Sequence, residues 1–173
     1  MSTAAILKHL RDRLRGALSL AADQCAIAPT REPPSAAGPV FVGIADCGAA
    51  AEGEGHLAET VEIEITVWRR SGAWPRDRLG DALLPIDPYA AGLPTIEQIE
   101  RAVIRAVHAD RANLVAAINA DLGPGDPPLL QPLYYQGRGV SEVVYLREET
   151  NEDAWIARRL KFRGMLRVAP LAA

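Results

Sequence analysis

Two segments of the chain alternate between apolar and polar residues, and this alternation constrains the fold more than any other feature of the sequence. In residues 61–68 every second residue is Val or Ile, and the residues between them are Glu, Thr and Trp. In residues 160–168 Leu, Phe, Gly and Val alternate with Lys, Arg and Met. A period of two residues is that of a β-strand with one buried face, so the sequence predicts a sheet with one apolar and one polar face.

The charges on these two strands are opposite in sign. Residues 46–64 contain six acidic and no basic residues, whereas residues 155–173 contain five basic and no acidic residues. We predict that the two strands pair antiparallel, because facing charges of opposite sign stabilise a register by about 0.2–1 kcal/mol per pair. The residues that would face each other are Glu62 and Glu64 on one strand and Lys161, Arg163 or Arg167 on the other. Alternatively, the two charged blocks supply the two unlike surfaces of a contact between neighbouring subunits.

Three segments carry the spacing and the end signals of helices. Apolar residues recur every three or four positions over residues 6–21, behind a Ser-Thr pair that is suitable for an N-cap. A second helix begins at Thr95, which matches a capping box with Gln98. Asp110 is positioned to cap a shorter third helix, which a Gly-Pro-Gly sequence ends.

Three further strands are predicted, at residues 40–45, 129–136 and 142–147. The last two flank the sequence Gly-Arg-Gly at residues 137–139, which favours a hairpin. Pro132 marks the first strand of this hairpin as an edge strand or a bulged one, because proline has no backbone N–H to donate.

Three other segments are predicted to lack regular structure. They are a Pro-rich linker at residues 29–39, a flexible loop at residues 49–55 and a long loop excursion at residues 69–93. The strands and helices do not alternate as they do in parallel α/β folds. The expected architecture is therefore a single α+β domain over residues 1–173, with a mostly antiparallel sheet and two main helices packed on one face.

Composition excludes several classes of function. Of the 173 residues, 49% are apolar, which is enough for one substantial core. The formal net charge of -3 does not favour general attraction to nucleic acid or to an anionic membrane. The sequence contains no apolar run of about 18 residues and no secretion signal, so we expect neither membrane insertion nor export. We also expect no cofactor and no metal.

One group of residues offers a possible reaction chemistry. Asp46, Cys47 and His56 are of the types that supply an orienting carboxylate, a thiol nucleophile and a base. The segment between Cys47 and His56 is rich in Ala, Gly and Glu, which favours a surface loop over a catalytic site. Cys25 and Cys47 lack the spacing of a redox or zinc motif, and the choice between free thiols and a disulfide stays open.

Tryptophan and arginine residues form the predicted interface. Both residue types are enriched at the energetically important positions of protein interfaces. The alternative is that each tryptophan packs within its own domain. The candidate interface residues are Trp68, Arg69, Arg70, Trp74, Arg76, Arg78, Trp155, Arg163 and Arg167.

Five segments of the chain follow one another in a familiar order. They are an amphipathic N-terminal helix, the strand Pro-Val-Phe-Val-Gly-Ile, an alternating strand ending in Val-Trp, the helix Ile-Glu-Arg-Ala-Val-Ile-Arg-Ala-Val-His-Ala and the strand Ala-Arg-Arg-Leu-Lys-Phe-Arg-Gly-Met-Leu-Arg-Val. Across residues 6–168, this order resembles that of the tail terminator (tail completion) proteins of tailed bacteriophages. The linker at 29–39, the acidic loop at 46–59 and the excursion at 69–93 depart from the pattern.

The resemblance implies a structural virion protein at the junction of tail and neck, assembled in the host cytoplasm. Its subunits would form a hexameric ring that caps the tail tube, stops tube polymerisation and joins the tail to the neck or head connector. The implied partners are sister subunits, the tail tube protein, and sheath and neck or connector proteins. Two alternatives stay open: a head–tail connector or neck adaptor, and a small α+β enzyme or ligand-binding domain that uses Asp46, Cys47 and His56.

Overall fold

The computed structural model describes residues 2–27, 40–51, 58–73, 94–148 and 151–167, which form three helices and a five-stranded sheet. The helices are α1 (Ser2–Leu18), α2 (Ile96–His108) and α3 (Arg111–Ala120). The strands are β1 (Cys25–Ile27), β2 (Val40–Ala51), β3 (Ala58–Ala73), β4 (Leu129–Glu148) and β5 (Asn151–Arg167). A short 3-10 turn, Ala22–Gln24, leads from α1 into β1. The predicted linker at 29–39 lies outside the described residues.

The sheet has the strand order β1-β2-β3-β5-β4, which puts β3 in the middle with β5 beside it. These two strands are antiparallel, with Ile63 opposite Phe162 and Ile65 opposite Leu160. The antiparallel pairing expected from the opposite charges of the two strands is therefore confirmed. β2 and β4 also run antiparallel to their neighbours, whereas the short β1 runs parallel to β2. The α+β class and the mostly antiparallel sheet are confirmed.

The main core forms where the apolar side of β3 and β5 meets the helices. The strands contribute Val61, Ile63, Ile65, Val67, Leu160 and Phe162, all of which are fully buried. The helices contribute Ile6, Leu10 and Leu14 from α1, Ile99 and Val103 from α2, and Leu114 and Ile118 from α3. Burial of apolar surface is the main favourable contribution to folding, so this layer holds the sheet and the helices together.

The start of α2 follows its sequence signals. Thr95 Oγ1 accepts a hydrogen bond from the backbone N–H of Gln98 at 3.2 Å, and Gln98 Oε1 accepts one from the backbone N–H of Thr95 at 2.8 Å. The predicted capping box is therefore confirmed. At the other end of α2, the guanidinium of Arg13 donates to the backbone carbonyls of Ala106 and Ala109, which joins α1 to α2.

The other helix ends differ from the predictions. α1 ends at Leu18, three residues before the predicted end, because Ser19 takes a positive φ of 53° that a helix does not continue through. Asp110 occupies the N-cap position of α3, but its φ of 46° is left-handed and its side chain makes no capping hydrogen bond. The Asp110 carboxylate accepts instead from the side-chain amide of Asn113.

β2 and β3 are longer than predicted. β2 continues to Ala51 and β3 to Ala73, so the predicted loops at 49–55 and 69–93 are wrong in their first residues. The reason is that neighbouring strands provide backbone partners there: β2 pairs with β3 up to Ala51, and the last residues of β3 pair with the first half of β5. Residues 52–55 and 74–93, which make up the rest of both loops, lie outside the described residues.

The predicted hairpin over residues 129–147 is wrong, because β4 is one continuous strand. Gly137 has a φ of 148°, and the pairing register with β5 shifts on both sides of it. A glycine with positive φ accommodates a β-bulge, so the chain bends here without reversing. Pro132 also lies at a register shift on what is the last strand of the sheet, which confirms its prediction as an edge or bulged position.

Gly164 explains an apparent gap in the apolar pattern of β5. A Cβ atom at this position would lie 2.8 Å from Leu133 Cδ2 and 3.2 Å from Leu129 Cδ1. Those distances are shorter than the roughly 4 Å of ordinary carbon contacts. The absence of a side chain at Gly164 therefore lets the two leucines of β4 enter the core.

Candidate functional site

The polar side of β3 and β5 carries a ladder of opposite charges. Glu62 is directly opposite Arg163, and Glu64 is opposite Lys161. Arg163 donates to Glu62 Oε1 at 2.7 Å, and this hydrogen bond lowers the pKa of the Glu62 carboxyl. Both side chains remain about half exposed, so the pair contributes little to stability beyond fixing the register. Glu62 and Arg163 thus satisfy each other within one subunit, and Glu64 lies 4.0 Å from Arg159 Nε.

Two predicted interface residues, Arg163 and Arg167, lie near the end of β5. Arg163 is engaged with Glu62, as described above. The exposed Arg167 is the last residue of the strand, and its backbone N–H donates to the carbonyl of Pro128 at 2.8 Å. Both residues remain candidates for contact with a partner.

The predicted interface tryptophans Trp68 and Trp155 are buried within the subunit. The exposed fraction is 2% for Trp68 and 1% for Trp155, and both belong to a second apolar cluster with Phe41 and Ala157. Phe41, Trp68 and Ala157 lie side by side across β2, β3 and β5. The alternation of the strands puts this cluster on the side of the sheet opposite the main core. This burial favours the alternative that both tryptophans pack within their own domain.

The remaining predicted interface residues have different positions. Arg69 is 2% exposed, because the alternation that buries Val67 continues to it, and its Nε donates to the carbonyl of Pro94 at 2.6 Å. This bond ties the end of β3 to the residue that precedes the cap of α2. The backbone of Arg70 pairs with that of Trp155. The other three candidates, Trp74, Arg76 and Arg78, lie outside the described residues.

The catalytic alternative receives no support from the geometry of its described members. Asp46 Oδ1 accepts a hydrogen bond from the backbone N–H of Gly48 at 2.8 Å, an Asx turn at the bulge where β2 pairs with β3. Burial, followed by the negative charge of Glu64, raises the pKa of the Cys47 thiol. A raised pKa lowers the thiolate fraction that a nucleophile requires. His56 lies outside the described residues.

The two cysteines are free thiols, Cys25 buried and Cys47 exposed. Burial raises the pKa of Cys25 to about 11, so this thiol is protonated at neutral pH and packs as a small apolar side chain. No disulfide therefore joins Cys25 to Cys47 within this chain.

An ionic cluster around the buried Glu100 joins α2 to the sheet, and the sequence analysis did not find it. Glu100 is 3% exposed. Its Oε1 accepts from Arg138 at 2.8 Å, and its Oε2 accepts from Arg158 at 2.7 Å. Arg158 also contacts Glu97 at 2.5 Å. The cluster thus connects α2, β4 and β5.

Two signals in the sequence point to this ionic cluster. Glu100 lies within the apolar stripe of α2, between Ile99 and Val103, where a carboxylate needs a partner. Arg158 lies on the side of β5 that carries Leu160 and Phe162, because the alternation begins before residue 160. An acidic and a basic residue at two core-facing positions are expected to pair.

His108 and Tyr135 lie next to the ionic cluster. His108 Nε2 accepts a hydrogen bond from the backbone N–H of Tyr135 at 3.2 Å, so this nitrogen carries no proton. The His108 ring also meets the Phe162 ring edge to face, with a centroid distance of 6.2 Å. Burial, and then the positive charge of Arg111, lower the pKa of His108. Burial, and then Glu100, raise the pKa of the Tyr135 hydroxyl.

Comparisons add no family assignment. No protein-family model matches the chain, and no curated protein matches it. Within the described ranges, no cluster of three or more His, Cys, Asp or Glu side chains has the geometry to hold a metal ion. None of the helices in that part of the chain has the length and apolar character to cross a membrane.

The ionic cluster generates a prediction about stability. Replacing Glu100→Gln removes the charge of the buried carboxylate that pairs with both Arg138 and Arg158, so the free energy of unfolding should fall by about 3 kcal/mol. Glu97→Gln removes the same charge from the same helix at a side chain that is 49% exposed, and should cost less than about 1 kcal/mol. Urea denaturation followed by tryptophan fluorescence measures both. Equal decreases in the free energy of unfolding for the two variants would contradict the central position of Glu100 in the ionic cluster.

The His108 hydrogen bond generates a prediction about pH. The folded chain lowers the pKa of His108 below its usual value of 6.5, so the unfolded chain binds the proton more readily. The stability contributed by neutral His108 is therefore complete above pH 6.5 and decreases as the pH falls from 6.5 toward the lowered folded pKa. His108→Gln, which keeps an acceptor but does not titrate, should flatten the decline in unfolding free energy between pH 7 and 5.5. If the unfolding free energy of the wild type and of the His108→Gln variant declined equally over this pH range, the assigned role of His108 would be refuted.

Proposed function

We propose that this chain is a structural subunit of the virion of a tailed bacteriophage, a tail terminator. Its subunits form a ring, hexameric in the proteins that the sequence resembles, which caps the tail tube and joins it to the neck. In this proposal two main helices, α1 and α2, cover one face of the sheet. The partners are sister subunits, the tail tube protein, and sheath or neck proteins at the tail–neck junction.

The observation that carries the proposal is the arrangement of the segments on which the resemblance rests. The N-terminal helix is α1, the first strand is β2 from Val40 onward, the alternating strand is β3, the Ile- and Ala-rich helix is α2 and the last strand is β5. Residues of all five belong to the main core or border it in the sheet. The five segments that carry the resemblance therefore pack together as one unit.

The proposed mechanism is assembly without a chemical reaction. A closed ring binds the last ring of the tail tube with one side and offers the next tube subunit no matching site on the other. Termination is then steric and energetic. The catalytic alternative is disfavoured by Cys47, whose raised pKa is the opposite of what a nucleophilic thiol requires.

Electron microscopy and mass measurement of the purified chain test this proposal. We expect rings with a central hole and, after addition of tail tube subunits, tubes that end at such a ring and stop growing. A chain that stays monomeric at all concentrations, with or without tube subunits, would overturn the proposal. Rings that bind portal protein and ignore the tube would replace it with the connector function.

A further inference from the structure

The first part of β4, residues 129–137, lies at an edge of the described sheet and contains no charged residue. We name it the β4 edge segment. Two of its apolar side chains are exposed, Leu130 to 47% and Tyr134 to 42%. Proteins usually prevent such an edge from pairing with another strand by means of charges, prolines or a covering element. Pro132 removes one N–H donor, and the other backbone groups of the segment need a different protection.

The side-chain amide of Asn119, near the end of α3, binds both backbone groups of Leu129. Asn119 Nδ2 donates to the Leu129 carbonyl at 3.0 Å, and the Leu129 N–H donates to Asn119 Oδ1 at 2.8 Å. The preceding carbonyl, that of Pro128, accepts from the backbone N–H of Arg167 in β5. Because consecutive residues of a strand direct their backbone groups to opposite sides, those of Leu129 point away from β5. Asn119 therefore makes the two hydrogen bonds that a further strand would make at Leu129.

The start of α3 lies beside the other end of the β4 edge segment. The guanidinium of Arg111, the first residue of α3, lies 5.1 Å from the centre of the Tyr134 ring. Three residues earlier, His108 accepts the backbone N–H of Tyr135. The start of α3 thus faces Tyr134 and its end faces Leu129, so the helix runs along the edge in the direction opposite to β4.

We propose that α3 is an autoinhibitory cover of the β4 edge segment: it occupies the place that a strand of a second copy would take. A second copy fits this edge, because two uncharged segments bring no like charges together and their pairing buries Leu130 and Tyr134. The inference does not depend on the proposed ring. It has one consequence for that ring, which is that subunits do not meet through the β4 edge segment while α3 covers it.

A proline in α3 of the full chain tests the inference. Ala116 is exposed in the middle of the helix. Ala116→Pro removes a helical hydrogen bond and clashes with the carbonyl of Ala112, so it breaks α3 and leaves the sequence of β4 unchanged. We expect the variant to associate in pairs, so that the sedimenting mass doubles relative to the wild type. Ala116→Gln, which is compatible with a helix, is the matched control and should sediment as the wild type does.

Amide hydrogen exchange locates the contact. In dilute Ala116→Pro the amides of Leu129 and Tyr135 should lose their protection and regain it when the copies associate. Protection of Ile63 throughout verifies that the rest of the sheet is folded. A folded variant that keeps the wild-type mass would overturn the inference, and so would association that leaves the two β4 amides unprotected.

If Ala116→Pro does not fold, a second pair of variants replaces it. His108→Ala with Asn119→Ala removes the side chains that bind the edge, whereas His108→Gln with native Asn119 keeps an acceptor and the amide, although it also loses the imidazole ring. The double alanine variant should associate at least about tenfold more strongly than His108→Gln. Equal association of the two would overturn the inference. A wild type that forms no ring would overturn the proposed function and leave this inference standing.

Discussion

The antiparallel pairing of β3 with β5 is the interaction on which the rest of the structure depends. Because the side chains of a strand alternate between two faces, the pairing register determines which side chains lie on each face of the sheet. With Ile63 opposite Phe162, the apolar side chains of both strands enter the main core, and Glu62 meets Arg163 on the other side. A slip by one residue would turn the apolar side chains to the outside and the charges to the core. The main core and the charge ladder therefore both require the same register.

The sequence predicts those parts of the fold whose signals are local. A period of two residues identified β3 and β5, opposite charges identified their pairing, and the capping box located the start of α2 at Thr95. The sequence-based predictions failed where backbone pairing with a neighbouring strand determines the conformation. β3 extends through Gly72 because β5 pairs with it there, and Gly137 produces a bulge in β4 rather than a turn because β5 continues alongside. Glycine is compatible with either outcome, and only the partner strand decides between them.

Several residues predicted at the interface are buried, because the strands that carry them extend further than the local sequence predicts. Trp68, Trp155 and Arg69 look exposed in a linear reading of the sequence, but the extended strands bury all three inside the subunit. Glu62 of β3 and Arg163 of β5, which face each other, are also hydrogen-bonded to each other. The Glu100 cluster, which the sequence analysis missed, is likewise used to hold α2 on the sheet. In the described residues, the large apolar side chains that remain exposed are Ile27, Leu130 and Tyr134, which lie on the two edge strands of the sheet.

Disulfide trapping measures the β3–β5 register most directly. In a chain with Cys25→Ala and Cys47→Ser, the pair Glu62→Cys and Arg163→Cys places two thiols at directly opposed positions, where a disulfide fits without backbone movement. The pair Glu64→Cys and Arg163→Cys puts the thiols on the same face but two residues out of register. The account predicts that mild oxidation closes the first pair rapidly and nearly completely and leaves the second largely reduced. Faster closure of the second pair would contradict the register and, with it, the account of the core and of the charge ladder.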